Sequence, residues 1–179
     1  MLPLGGAVVT DIDNPITREE ILCNVMFDSI SEDVMAEGAW TSATSRATLV
    51  KSATAPVYGY ANQFQLPTDP FCLRVLDVNE TEPGAIKWVR EGDKVLTDSD
   101  TLSIRYIFRV TNTESYDTKL KQAIIARLSY ELSYELVSSR TLTAQLGEAY
   151  NDIKRSGLVT DGKQGSARQF SSTALTRVR

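Results

Sequence analysis

The chain has 179 residues, 42% hydrophobic and 23% charged, with a net charge of −4 and an isoelectric point near 5.0. That length suits one domain, that apolar content suits a packed core, and an acidic sum implies no general affinity for nucleic acid. Histidine is absent, which removes Ser-His-Asp and Cys-His nucleophiles, imidazole metal ligands and the usual general base near neutral pH.

Residues 1–14 read as an extended arm, with Pro3, Gly5 and Gly6 as breakers and Asp11, Asp13 and Asn14 as turn or cap residues. The arm lacks the basic leader and long apolar stretch of a secretory signal, so folding in the cytoplasm is expected. No apolar run approaches the roughly 20 residues needed to span a bilayer.

A helix is predicted over about 15–37, with Asn14 as N-cap and Pro15 at the first helical position. Glu19 and Glu20 fall near its positive end. Ile21, Leu22, Val25, Met26, Ser29 and Ile30 trace its inner face, extended by Val34 and Met35. Gly38 stops it. Trp40, just beyond, is expected to pack a sheet against the helix.

The β region is predicted over about 47–110. Strands are expected near 47–51, 71–78, 86–90, 94–96 and 102–110, with a tight turn at Glu91-Gly92-Asp93. In the last strand Leu102, Ile104, Tyr106, Phe108 and Val110 alternate onto one face, while Arg105 and Arg109 point the other way. A small antiparallel sheet with one solvated or partner-facing side follows.

The clearest helix is predicted over about 117–138, where Leu120, Ile124, Leu128, Leu132 and Leu136 recur every four residues. Ala123, Ile125 and Val137 widen that stripe, and Tyr130 and Tyr134 lie beside it. Ser139 caps a third helix over about 140–156, or marks a kink. Leu142, Gln145, Leu146, Ala149, Tyr150 and Ile153 form its inner face and Gly157 its end. Residues 158–179 read as a flexible tail. From Thr160 onward the charge is +3, leaving −7 on residues 1–159. Such a segment cannot bury enough surface alone to offset its ordering entropy. Phe170, Leu175 and Val178 stand out in it as candidate anchors for a groove. The expected fold class is therefore α+β: a helical bundle with an inserted small antiparallel sheet and an extended C-terminal tail.

Few residues offer chemistry. Cys23 and Cys72 are too sparse for a zinc framework and read as small buried apolar residues. Asp11-x-Asp13 and Asp98-x-Asp100 lack the remaining ligands of a calcium loop and read as turn residues. No metal or cofactor is expected. Paired carboxylates among Glu32, Glu37, Asp69 and Glu91 would allow a cell-wall hydrolase without histidine. Nothing in their spacing sets two of them across a cleft. Trp88 suits either the core or a subunit interface. Tyr130 and Tyr134 suit a core edge or an interface, and Arg105 and Arg109 a subunit boundary or a solvated face.

Several segments, in order, resemble the tail tubular protein A family, the head-to-tail adaptors of short-tailed phages. The run Glu37-Gly38-Ala39-Trp40 through Arg46-Ala47-Thr48-Leu49 is similar to that family's helix-end motif. Tyr58-Gly59-Tyr60 and Phe64-Gln65-Leu66-Pro67-Thr68-Asp69 resemble its Tyr-x-Leu-Pro-x-Asp segment, which leads into a strand, here Leu73-Arg74-Val75-Leu76. The turn 91–98 is similar to its hairpin, and Ile104-Arg105-Tyr106-Ile107 followed by Tyr116-Asp117 to its entry into the long helix. The segment 161–166 resembles its polar tail. The likeness spans about residues 17–179. One departure is that only Leu4-Gly5 remains of a further N-terminal helix that family members usually carry.

The resemblance implies a structural protein and no enzyme: a twelve-subunit ring in the virion, below the portal, joined to the tail nozzle and extending the channel through which viral DNA passes without sequence-specific binding. It leaves open whether tail fibres attach there. Carried onto this chain, the portal contacts fall on Arg168, Phe170, Leu175, Arg177 and Arg179. Trp88, Arg105, Arg109, Tyr130 and Tyr134 are candidates for subunit or tail-protein contacts. A related head-completion protein of long-tailed phages is the nearest alternative.

Overall fold

A computed structural model describes residues 14–79 and 86–164. The fold is α+β. Among the described residues it comprises helices α1 (Arg18–Glu37), α2 (Thr118–Val137) and α3 (Arg140–Asp161) and two three-stranded antiparallel sheets. The first sheet has the order β1 (Thr44–Leu49), β6 (Leu102–Phe108), β3 (Cys72–Val78). The second has the order β2 (Asn62–Gln65), β5 (Lys94–Thr97), β4 (Trp88–Glu91). All the strands lie between α1 and α2 in sequence, as an insertion into a three-helix unit. No described helix is long and apolar enough to cross a membrane.

Helix α1 starts later than predicted. Thr17, not Asn14, is the N-cap: its side chain accepts from Glu20 N at 3.3 Å, while Glu20 Oε2 accepts from Thr17 N at 3.0 Å. This reciprocal capping box outcompetes the Asn-Pro start because it satisfies donors at both positions. The buried stripe is also rotated from the predicted one. Cys23, Ile30, Val34 and Met35 are buried and Phe27 is partly buried, whereas Ile21 and Val25 are 47% and 71% exposed. A four-residue offset through Cys23 and Phe27 satisfies the helical period as well as Ile21 and Val25 do.

Helices α2 and α3 form an antiparallel hairpin. Ser138 turns it with φ +54°, and the Ser139 side chain caps α3 by accepting from Leu142 N. Small residues let the two helices approach. Ser129 and Ser133 are buried, Ser133 Oγ reaches Thr143 Oγ1 at 2.8 Å, and Gly147 lies under the Tyr130 ring. Leu120, Ala123, Ile124, Leu128 and Leu132 supply the opposite, buried face of α2 as predicted, but Ile125 and Val137 are exposed. On α3, Gln145 and Ala149 of the predicted inner face are exposed, and the stripe runs through Tyr150 and Gly157 to Asp161.

The predicted stop at Gly157 is not one. The helix continues to Asp161 and a 3-10 turn follows over Gly162–Gln164, so the body extends past the tail boundary predicted at residue 158. Gly157 is used for space instead. A Cβ there would lie 3.1–3.2 Å from the Trp40 ring.

The layers are helices, first sheet, second sheet. One core joins Cys23, Val34, Trp40, Leu120 and Leu132 to Ile107 of β6. A second fills the space between the sheets with Leu102, Ile104 and Tyr106 from β6 against Phe64 and Val95. The face of β6 bearing Leu102, Ile104 and Tyr106 is buried, and the opposite face, expected to be open, is covered at Ile107 but open at Ser103 and partly so at Arg105. The helices cover only the Ile107 end of their face. Beyond them Arg46 pairs across to Arg105, and Thr48 to Ser103, on an uncovered part of the sheet. Strand β2 was not predicted: its four residues, Asn-Gln-Phe-Gln, are too few and too polar to show a pattern alone.

Candidate functional site

Trp40 organises the junction of the three helices with the first sheet. It is fully buried, and its indole Nε1 donates to Val34 O at 2.8 Å. That carbonyl belongs to the last turn of α1, where no intrahelical donor remains. Gly38 and Gly157 make room for the ring, since a Cβ at Gly38 would sit 2.6 Å from Trp40 Nε1. Gly38 has φ −119°, so it ends the helix through close approach and not through left-handed backbone. Asp117 caps α2 by accepting from Lys119 N and Leu120 N at 2.7 and 2.8 Å, and Ser42 Oγ donates to its other oxygen.

The four carboxylates considered for hydrolysis are not gathered into one cleft. Glu32 pairs with Arg109 at 2.7 Å. Glu37 accepts from the Tyr150 hydroxyl at 2.6 Å and from Lys154 Nζ at 2.7 Å, with Arg127 beside it at 3.9 Å. Burial alone would raise the Glu37 pKa, but these donors and the charges of Lys154 and Arg127 hold it below the ordinary range. Tyr150 is pushed upward, first by burial and then by its hydrogen bond to the Glu37 carboxylate. Asp69 is exposed on a turn and Glu91 at the end of β4, in separate parts of the β region. What Glu37 does is join α1 to α2 and α3.

Asp98 and Asp100 serve local structure: Asp98 accepts from Ala61 N at 2.9 Å, and Asp100 pairs with Lys51 at 3.1 Å. Asp11 and Asp13 lie outside the described residues. Among the described residues no group of three or more acids or cysteines is placed to hold a metal ion. Cys23 and Cys72 are free and buried, and burial raises both thiol pKa values. Four surface depressions hold about 280–430 Å³ each, at or below the lower end of ordinary ligand pockets, roughly 300–1,000 Å³.

The residues expected at interfaces fall in different settings. Trp88 is partly buried against the core between the sheets. Arg105 Nε donates to Asp77 Oδ2 at 2.8 Å within the first sheet. Arg109, besides pairing with Glu32, stacks its guanidinium on the Phe71 ring at 4.8 Å. Tyr130 packs on Gly147 and faces Arg127, and the Tyr134 side chain lies outside the described residues. Tyr106 and Leu66 are buried, Pro67 O accepts from Cys72 N at 3.1 Å, Tyr60 is half-buried, and Arg46 lines the uncovered part of the first sheet. The tail residues Arg168, Phe170, Leu175, Arg177 and Arg179 lie outside the described residues.

Two apolar surfaces escaped the sequence reading. Ile16, Ile21 and Val25 are 88%, 47% and 71% exposed at the start of α1, and Val57 and Tyr58 are 98% and 87% exposed on the β1–β2 connection. Period alone would not have found the first, because Ile21 and Val25 fit a core face equally well. No protein-family model and no curated protein matches this chain.

Proposed function

We propose that this chain is a structural ring subunit of a phage virion, a head-to-tail adaptor that joins the portal to the tail nozzle and lines the DNA channel between them. The ordered series of motifs described above gives the reading its family. The observation that supports it physically is that Ile16, Ile21 and Val25 at the start of α1, and Val57 and Tyr58 on the β1–β2 connection, are exposed apolar groups. Large exposed apolar side chains grouped on one element mark association sites. Two separate surfaces suit a subunit that contacts both a neighbour in the ring and a different protein. Ile21 and Val25 on α1 suit contact with a neighbouring subunit. Val57 and Tyr58, exposed on the β1–β2 connection, suit the tail protein below. The acidic body is consistent with a channel that DNA slides through without sticking, since phosphates bind basic surfaces strongly. Twelve subunits, and portal contacts through the C-terminal residues, follow from the family likeness.

An enzymatic reading finds less support, because Glu32 and Glu37 are each held in ion pairs that tie elements together. Light scattering on the purified chain, alone and with its portal, tests the proposal. A ring-sized species, or a monomer recruited to portal, is the expected result. A monomer indifferent to portal overturns it, and hydrolysis of cell wall lost on Glu32→Gln or Glu37→Gln would replace it.

A further inference from the structure

We propose that the uncovered end of the first sheet binds a phosphate group, held by Arg46, Arg74 and Arg105 with the hydroxyls of Thr48 and Ser103. The site is independent of the adaptor reading. Arg46 on β1 stands directly opposite Arg105 on β6, and Thr48 directly opposite Ser103. Like charges opposed in this way destabilise an antiparallel pair. Residues two apart on a strand share a face, so these four lie on one surface. A depression of about 430 Å³ is lined by all four and by Asn79. The Thr48 and Ser103 hydroxyl oxygens lie 3.1 Å apart, and Asn79 Oδ1 accepts from Ser103 N at 2.6 Å, which fixes that end of the wall.

Strand β3 adds a third guanidinium through a bulge. Arg74 and Asp77 are three residues apart and would face opposite ways on a regular strand. The register shift between Val75 and Asp77 sets them opposite Ile107 and Arg105, which are two apart on β6. Both therefore join the face of Arg105. Asp77 Oδ2 accepts from Arg105 Nε at 2.8 Å, in keeping with that placement. Arg74 is the diagonal neighbour of Arg105, at roughly 7–8 Å between Cα atoms, a gap that long side chains span. It is half-buried, and its Nε is buried with no hydrogen-bond partner among the described residues. Buried polar groups ordinarily have one.

Charge and donor count select the ligand. On this face the three strands carry Arg46, Arg74 and Arg105 against Asp77, an excess of two positive charges. A phosphate group carries about −1.5 to −2 at neutral pH and three strong acceptor oxygens. It balances that excess and accepts from several donors at once. A carboxylate is served by a single guanidinium fork, as Asp77 is by Arg105.

Calorimetric titration of the full chain with inorganic phosphate, at constant ionic strength, tests this. Saturable binding at one site is expected, weakened at least fivefold by Arg46→Gln and by Arg74→Gln. Lys121→Gln, which removes an exposed charge on α2, should leave it unchanged. Arg46 is exposed, so its variant keeps the fold even where Arg74→Gln does not, and melting curves identify which variants are intact. The same titration with a short DNA duplex separates the sources of phosphate. Binding of inorganic phosphate alone assigns the site to a free phosphate. Duplex binding that inorganic phosphate displaces assigns it to a nucleic-acid backbone, and either result supports the site. The absence of saturable phosphate binding overturns it. So does binding that intact Arg46→Gln leaves unchanged, that Lys121→Gln weakens equally, or a duplex that phosphate fails to displace.

Discussion

Asp161 holds Thr41 across 120 positions of sequence: its Oδ2 accepts from both the backbone N–H and the hydroxyl of Thr41, each at 2.7 Å. The carboxylate is buried, at 3% exposure, and caps the 3-10 turn that carries the chain from Trp40 into β1. It thus locks the end of α3 to the end of α1, around the ring that fills the junction.

Removing that carboxylate should destabilise the whole domain. Asp161→Ala removes the acceptor of both the Thr41 N–H and its hydroxyl, and hydrogen bonds to charged groups contribute about 1.5–3 kcal/mol. Asp161→Asn keeps one acceptor and should lose less. Urea unfolding reads both, and an unchanged midpoint for Asp161→Ala would show that the cap is dispensable. A chain ending at Gly157 should melt well below one ending at Gln164.

Enlarging either glycine beside Trp40 should overpack the junction. Gly157→Val and Gly38→Ala are expected to cost about 1–3 kcal/mol each. The Gly157 effect should shrink when Trp40→Phe is present, because the smaller ring vacates the contested space. A double-mutant cycle by thermal or chemical melting measures the coupling, expected to be at least ~0.5 kcal/mol for residues in contact. Strict additivity would mean that the two side chains do not meet.

Acid should loosen the joint between α1 and the α2–α3 hairpin. The folded Glu37 pKa is depressed, so its contribution is present above the unfolded value, about 4.3 for glutamate. It is lost as pH falls through the lower folded value. Glu37→Gln should therefore lower stability at pH 7 and narrow its gap to the unaltered chain as the pH drops below about 4. A gap independent of pH between 7 and 3 would contradict this.

Charging the exposed row on α1 should separate folding from assembly. Ile21→Lys with Val25→Lys replaces side chains that face solvent in the single chain, so stability should stay within about 0.5 kcal/mol. Any ring-sized species should fall to monomer by light scattering. Rings that persist would move the subunit contact elsewhere.

Val57→Ser with Tyr58→Ser makes the complementary test. Ring formation and melting should be unaffected, while co-sedimentation with the tail nozzle protein should fall at least tenfold. Unchanged co-sedimentation would show that this loop is not the lower contact.

Much of the architecture was legible from local pattern. The four-residue spacing of Leu120, Ile124, Leu128 and Leu132 names α2 and its buried side, because a helix exposes its period directly. The alternation from Leu102 to Phe108 names β6, and the turn at Glu91-Gly92-Asp93 names the β4–β5 hairpin. Trp40 as the packing residue between helix and sheet was legible too, since a Trp just past a helix stop has few other uses. The start of α1 carries two competing signals, Asn14-Pro15 and the capping signature from Thr17 to Glu20, and local pattern alone does not choose between them.

By itself, then, the sequence determined the α+β class, the order of the helices and most strands, and the lack of histidine chemistry, because these depend on residue type and short-range period. Only the tertiary structure decided which face of α1 is buried, that Gly157 makes room for an indole instead of ending α3, and that the strands form two sheets. It alone placed Asp161 in the body and left Ile21, Val25, Val57 and Tyr58 bare. Each of these depends on what a distant segment supplies: a ring, a donor, an opposing sheet, or nothing. No period or propensity within a window of one helix carries that information.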